Sequence, residues 1–303
     1  MSTSALPIVV GTLILFATVA SAQELEPKAY SASPVGATFV AASLARSTGS
    51  VVFDPSIPIT DVDARISGAF LGVGSTFGLF GKLTVVSAVL PFAWGEVSGR
   101  VFEDARTVTR SGLADTRFRF SMNLRGNDAM RLAEFAKTPR RTIVGTSFTM
   151  QAPTGQYDPA KLINLGNHRY AFKPEIGVAV PRGRWDIDTY AGVWLFTPNH
   201  DFFPGGLERT QDHVLALQSH VSYTFKPRLW LAVDGTWYSG GGARVEDAEP
   251  IGAVNNSRLG ATLSIPAGRR QSFKIAYSGG VSVRTGTNFR TIAIGWQWLS
   301  IRP

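Results

Sequence analysis

Cysteine is absent from all 303 residues, which excludes a disulfide framework and a thiolate metal site. Long apolar runs are also absent after residue 22, because Asp, Glu, Lys or Arg recurs throughout the rest of the chain. No later segment reaches the roughly 17 to 25 apolar residues that a spanning helix needs. A helical membrane protein is therefore excluded. No Pro/Ser-rich linker or change of composition divides residues 23–303, and one domain is the simplest organisation. Metal chemistry has no foothold either. His168, His200, His213 and His220 show no ligand spacing on one element, and Asp54, Asp61 and Asp63 lack the spacing and central Gly of a Ca²⁺ loop. The run from Ser239 to Arg244 is rich in Gly but is followed by no Lys-Ser/Thr and no helix, so it does not cradle phosphate. No cofactor is expected.

The net charge of +8 does not indicate nucleic acid, since the Lys and Arg residues are scattered and accompany no reading helix or RNA-binding aromatic motif. Lipopolysaccharide phosphates or an anion-attracting interior are better matches for this charge. Residues 1–22 read as a secretory signal peptide: an apolar run from Ile8 to Ala20 precedes the small-x-small site Ala20-Ser21-Ala22, which places the mature start at Gln23. The n-region MSTSALP carries no Lys or Arg.

The mature chain alternates. From Arg117 to Arg125 it reads RFRFSMNLR, with Phe118, Phe120, Met122 and Leu124 on one face and Arg117, Arg119, Ser121, Asn123 and Arg125 on the other, as a strand arranges its side chains. Similar segments are predicted at about 36–47, 60–74, 80–92, 113–126, 140–153, 169–180, 184–197, 211–226, 229–239, 255–266, 270–280 and 287–300, with ends uncertain by ~2 to 4 residues. Twelve is an even number, as single-chain bacterial barrels require, and the segments are near the length that crosses a bilayer at a tilt.

Tight turns at Pro181–Gly183, Lys226–Arg228 and Ala267–Arg269, with a short one at Ser75–Leu79, alternate with long connections at about 47–60, 93–112, 154–168, 198–210 and 240–254. Periplasmic turns and extracellular loops alternate in this way. The segment NDAMRLAEFAK within 127–139 is expected to be a short periplasmic helix. Aromatics such as Trp185, Trp194, Phe196, Tyr223, Phe225, Trp230, Trp237, Tyr238, Trp296 and Trp298 lie toward strand ends, where interface girdles sit. The fold expected is an all-β, antiparallel, up-and-down transmembrane barrel in the bacterial outer membrane.

Four segments carry a resemblance to a known family: FDPSIPITDVDARI from Phe53, VTRSGLADTRFRF from Val108, APTGQYDPAKLINLGNHRYAFKPEIG from Ala152 and TPNHDFFPGG from Thr197. Together they resemble the outer-membrane transporter family named for the meta-pathway of phenol degradation, over about Glu24 to Trp298. The resemblance implies a Gram-negative outer-membrane barrel that passes small, often aromatic, molecules, and it carries no catalytic residue over. Outer-membrane barrels usually end in an aromatic residue used in assembly, whereas this chain continues past Trp298 as Leu-Ser-Ile-Arg-Pro. The expected partners are outer-membrane lipid and lipopolysaccharide, a small-molecule solute and the barrel-assembly machinery.

The lumen face is expected to carry Arg117, Arg119, Arg125, Lys173, Arg258 and Lys274 against Glu175, Asp186, Asp188 and Asp234, with His220 among them. Charged rings of this kind set ion selectivity, or else lock together as a plug. An enzymatic reading competes. If Phe225 and Leu229 face lipid together, His220 falls opposite Asp234 with Ser222 two residues along, the skeleton of acyl hydrolysis. No oxyanion donor is evident, and the face points away from lipid, so the chain is read as a channel for small, aromatic or anionic compounds and not as an enzyme. A structural or cell-surface interaction barrel is the other alternative.

Overall fold

The computed structural model describes residues 26–52, 59–101 and 104–302. The leader expected at 1–22 and Asp54 lie outside them. The strands in chain order are β1 (Ala37–Val52), β2 (Ile59–Leu79), β3 (Lys82–Val101), β4 (Asp104–Leu113), β5 (Thr116–Arg125), β6 (Ile143–Ala152), β7 (Ala171–Arg182), β8 (Trp185–Phe196), β9 (Asn199–Phe202), β10 (Leu207–Gln211), β11 (Val214–Lys226), β12 (Leu229–Gly240), β13 (Ala243–Val245), β14 (Val254–Ala267), β15 (Gln271–Ser282) and β16 (Gly286–Ile301). Twelve of them form a closed ring in the order β1, β2, β3, β5, β6, β7, β8, β11, β12, β14, β15, β16, and β16 pairs back onto β1. Every neighbouring pair is antiparallel. Closure leaves no sheet edge, so the backbone polar groups of each strand are satisfied without water.

The pleat sorts the side chains. Ile176, Val233, Leu259 and Ile294 point outward and are 53 to 59% exposed, while Ser147, Asp188, His220 and Asp234, on β6, β8, β11 and β12, point inward and are buried. An apolar exterior band around a polar interior is the inverse of a soluble sandwich and suits a lipid surround. At one end the connections are tight: Phe80 and Gly81, with φ of 51 and 73°, join β2 to β3 in a turn that needs two positive-φ residues. The turn lies just beyond the expected 75–79, because β2 runs on to Leu79. The 127–139 segment contains one turn of helix, α1 (Leu132–Phe135), also at this end.

The long-loop end departs further from expectation. The connection predicted over 93–112 is instead a hairpin, with Val97 opposite Val108 and β4 paired along the outer half of β3. Hydropathy alternation fades there because the outer residues, such as Glu96, Arg100 and Arg106, are exposed polar groups, although backbone pairing continues. β9, β10 and β13 form a separate three-stranded sheet over the same end. Four of the expected girdle aromatics are also misplaced, Phe196 and Tyr238 packing in the interior cluster of Trp194 and Val214. Trp194 and Trp230 point inward and are buried, because each shares its face with lumen residues across the sheet, Val214 for the first and Ser264 for the second.

Candidate functional site

The lumen is divided lengthwise into a filled half and an open half. A strap formed by residues 26–36 runs into the barrel ahead of β1 and packs against the inner faces of β5 to β12. Its central side chain is Tyr30, 1% exposed, which rests on two glycines that face each other across β6 and β7, Gly145 and Gly177. The Tyr30 hydroxyl bonds Glu175 Oε1 at 2.9 Å and Ser147 Oγ at 3.0 Å. A Cβ on Gly177 would lie 2.2 Å from the Tyr30 ring and 2.8 Å from Tyr190, and one on Gly145 would lie 2.3 Å from the ring. Neither seat residue can carry a side chain while Tyr30 is home. Gly177→Ala is therefore expected to unseat the strap and raise single-channel conductance while the heat-modifiable fold persists. Unchanged conductance would show that Tyr30 does not hold the strap.

Charge fixes the rest of the strap. Glu26 accepts from Arg119 at 2.8 Å, the Lys28 amide donates to Asp188 at 3.1 Å, and the Lys28 ammonium pairs with Asp186, which Arg140 reaches from the rim. Ala29 N donates to the Tyr190 hydroxyl at 3.1 Å. On the wall itself Glu175 is held by Lys173 at 3.0 Å and Arg119 at 3.2 Å. The charges expected to form a selectivity ring thus lie mostly on the filled half, satisfied by one another and by the strap. Arg117 packs over Trp194 at 6.0 Å. Arg258 is buried toward the long-loop end, donating to the Phe289 carbonyl at 2.9 Å. Lys274 faces the interior from β15, 5.8 Å from the Trp230 ring, and remains exposed there. Arg125 does not face the lumen. A bulge after Asn123 pairs it with Val144, an outward position, so the alternation that began at Arg117 breaks one residue early.

His220 and Asp234 are cross-strand partners, as their spacing predicts, with Nδ1 2.7 Å from Oδ1. Thr262 donates to the other carboxylate oxygen at 2.9 Å. The hydrolase skeleton stops there: His220 Nε2 and Ser222 Oγ have no hydrogen-bond partner among the described residues, and both residues are 0% exposed. Ser222 and His220 therefore do not form the nucleophile–base hydrogen bond that acyl hydrolysis uses.

The other half of the wall, β15, β16, β1 and β2, presents mostly small side chains inward, with Phe39, Phe70 and Gln297 on the same face. Ala276, Ala293, Gly295, Ser43, Ala41 and Gly72 lie on neighbouring strands in register and stay half-buried, in contrast to the sealed side. Toward the long-loop end this lane widens into an apolar pocket lined by Ala45, Ile66, Phe70, Ala93, Val97 and Ile163, with Arg110 at its side. Arg110 Nε donates to the Ile163 carbonyl at 2.7 Å, tying the 153–170 loop to the pocket wall.

That loop is anchored by Asp115, which the sequence reading missed. The carboxylate is 1% exposed and accepts from Gly155 N at 3.0 Å, Asn167 N at 2.9 Å, Asn167 Nδ2 at 2.7 Å and Gln151 Nε2 at 3.0 Å. Only its position between β4 and β5, in a run lacking alternation, could have signalled this. Beside it, Arg169 stacks over Phe196 at 4.5 Å and donates to Gln211. Burial pushes the pKa of the Arg209 guanidinium down to about 10, and burial together with the Arg209 charge holds that of Arg169 well below its ordinary value.

Comparison with known proteins places this arrangement. The family described as "Putative MetA-pathway of phenol degradation" matches residues 48–296. An outer membrane channel from Pseudomonas putida F1 superposes with a TM-score of 0.76 at 18% identity, covering 91% of this chain and 100% of that one. The beta domain of the Bordetella autotransporter BrkA follows at 0.51 and 11% identity, over 87% of this chain and 99% of its own. No curated protein matches the sequence. The two superpositions establish a shared fold: a closed outer-membrane β-barrel.

Proposed function

The chain belongs to the MetA-pathway of phenol degradation family, and on that premise we propose that this outer-membrane barrel passes small aromatic compounds, neutral or anionic, along the open half of its lumen. The observation that carries this reading is the continuity of the apolar pocket with the lane of small residues, both free of the strap. Ligand sites are concave and mostly apolar with a few placed polar groups. Here Arg110 borders the pocket and Lys274 borders the lane, so a phenolate or benzoate meets a cation at entry and again deeper in. Of the charged residues first expected to steer solutes, Arg119, Glu175, Asp186 and Asp188 are engaged by the strap.

Swelling of vesicles containing the purified protein tests this. Phenol and benzoate should enter faster than arabinose, and Ala93→Trp, which fills the pocket, should slow the aromatics most. Equal rates for all three solutes, or an Ala93→Trp variant indistinguishable from the parent, would overturn the assignment and favour a barrel whose loops bind a partner at the cell surface. The remaining partners of the proposal are lipopolysaccharide at the long-loop end and the barrel-assembly machinery. Removal of residues 1–22 by signal peptidase completes it.

A further inference from the structure

The charge excess of this protein is concentrated at its periplasmic rim. Three turns that are consecutive around the barrel carry Arg182 and Arg184, Lys226 and Arg228, and Arg269 and Arg270, with no carboxylate among them. They form one knitted arc: Thr224 N donates to the Arg184 carbonyl at 2.8 Å, and Arg228 Nη1 donates to the Arg269 carbonyl at 3.0 Å. Asp186, the acidic residue beside the first turn, is buried and already paired with Lys28 and Arg140. The extracellular end differs, since Asp201, Glu208, Asp212, Glu246 and Asp247 are interspersed with its cations. Lipopolysaccharide phosphates, which lie at that end, do not account for the six rim cations.

Just above the arc, on the outward face, Trp185, Tyr223 and Phe225 pack together with centroids 4.8 and 5.0 Å apart. Trp185 and Phe225 are 50% and 49% exposed. Arg184 Nη1 lies 3.5 Å from the Tyr223 hydroxyl, so the guanidinium turns toward the lipid-facing surface instead of the lumen. Cations directly beneath an aromatic belt match a diacyl phospholipid, whose phosphate lies at headgroup level and whose chains begin beside the rings.

We propose that this arc is a binding surface for anionic phospholipid of the periplasmic leaflet, the phosphate held by Arg184, Lys226, Arg269 and Arg270 and the acyl chains packed on Trp185, Tyr223 and Phe225. It rests on the outer-membrane placement of the barrel and is independent of the solute the lumen passes. A soluble acidic partner would use the cations but has no use for the exposed rings.

Native mass spectrometry of the folded full-length protein, extracted from vesicles of equimolar phosphatidylglycerol and phosphatidylethanolamine, tests the proposal. The parent protein should retain phosphatidylglycerol over phosphatidylethanolamine by on the order of tenfold, the scale expected when several basic residues meet one headgroup. The variant with Arg184→Gln, Lys226→Gln, Arg269→Gln and Arg270→Gln should lose that preference, whereas Arg65→Gln with Arg106→Gln at the opposite end should keep it. A second measurement needs no variant: preference in the parent should collapse as NaCl rises from about 0.05 to 0.5 M, because headgroup attraction is screened. Equal retention of the two lipids, a preference that survives the fourfold substitution or high salt, or binding of acidic protein without lipid preference each overturns it.

Discussion

Deletion of residues 26–34 from the mature protein is expected to raise single-channel conductance several-fold in planar bilayers. Among the described residues the strap is the element that fills the β5–β12 half of the lumen, and removing it takes away Tyr30, Lys28 and Glu26 together. The wall behind it has its own support. Glu175 keeps Lys173 and Arg119, Asp186 keeps Arg140, and Asp234 keeps His220 and Thr262. Water then solvates the vacated polar surface at little cost, since polar groups facing an aqueous lumen need no protein partner. The truncated barrel should still migrate as a heat-modifiable species. A folded truncation with parental conductance would show that the strap does not limit the path.

Asp234→Ala is expected to cost about 3 kcal/mol of folding stability, measured by urea unfolding in vesicles. His220, Asp234 and Thr262 lie on three adjacent strands and are 0 to 4% exposed, so truncation leaves a buried imidazole and a buried hydroxyl without their acceptor. Asp234→Asn preserves an acceptor oxygen and should lose less than the alanine variant. A loss under about 1 kcal/mol, the scale of a solvated surface pair, would mean that water reaches this cluster from the lumen.

The twelve barrel strands were legible because each has one face that must be apolar, and a period of two survives wherever lipid lies outside. That signal fails beyond the bilayer, which is why the β3–β4 hairpin read as a loop although Val97 and Val108 pair within it. It also cannot register a bulge, and one such residue after Asn123 moves Arg125 to the exterior. Alternation placed Arg119, Glu175, Asp186, Asp188 and Asp234 on inner faces but gave no view across the lumen, where their partners lie. Those partners include Glu26 and Lys28, which lie ahead of the first predicted strand, where no element is expected. Gly145 and Gly177 become a seat only once the register of β6 on β7 is known. Period places Trp194 on the face of Asp186 and Asp188 and Trp230 on that of Asp234, so it was their nearness to strand ends, not the alternation, that read them as girdle residues like Trp185.

The position of the strap ahead of β1 bears on how the barrel assembles. The Tyr30 seat is made by β6, β7 and β8, strands consecutive in sequence whose pairing closes far shorter loops than the seam and comes early. The seam between β1 and β16 instead joins residues such as Ser47 and Thr291, 244 positions apart, and comes late. Because the strap is continuous with one lip of that seam, a strap already docked holds β1 beside the growing sheet and shortens the search for β16. Loss of the segment that narrows the finished channel should therefore also slow closure, read as delayed appearance of the heat-modifiable species, even where the closed barrel remains stable.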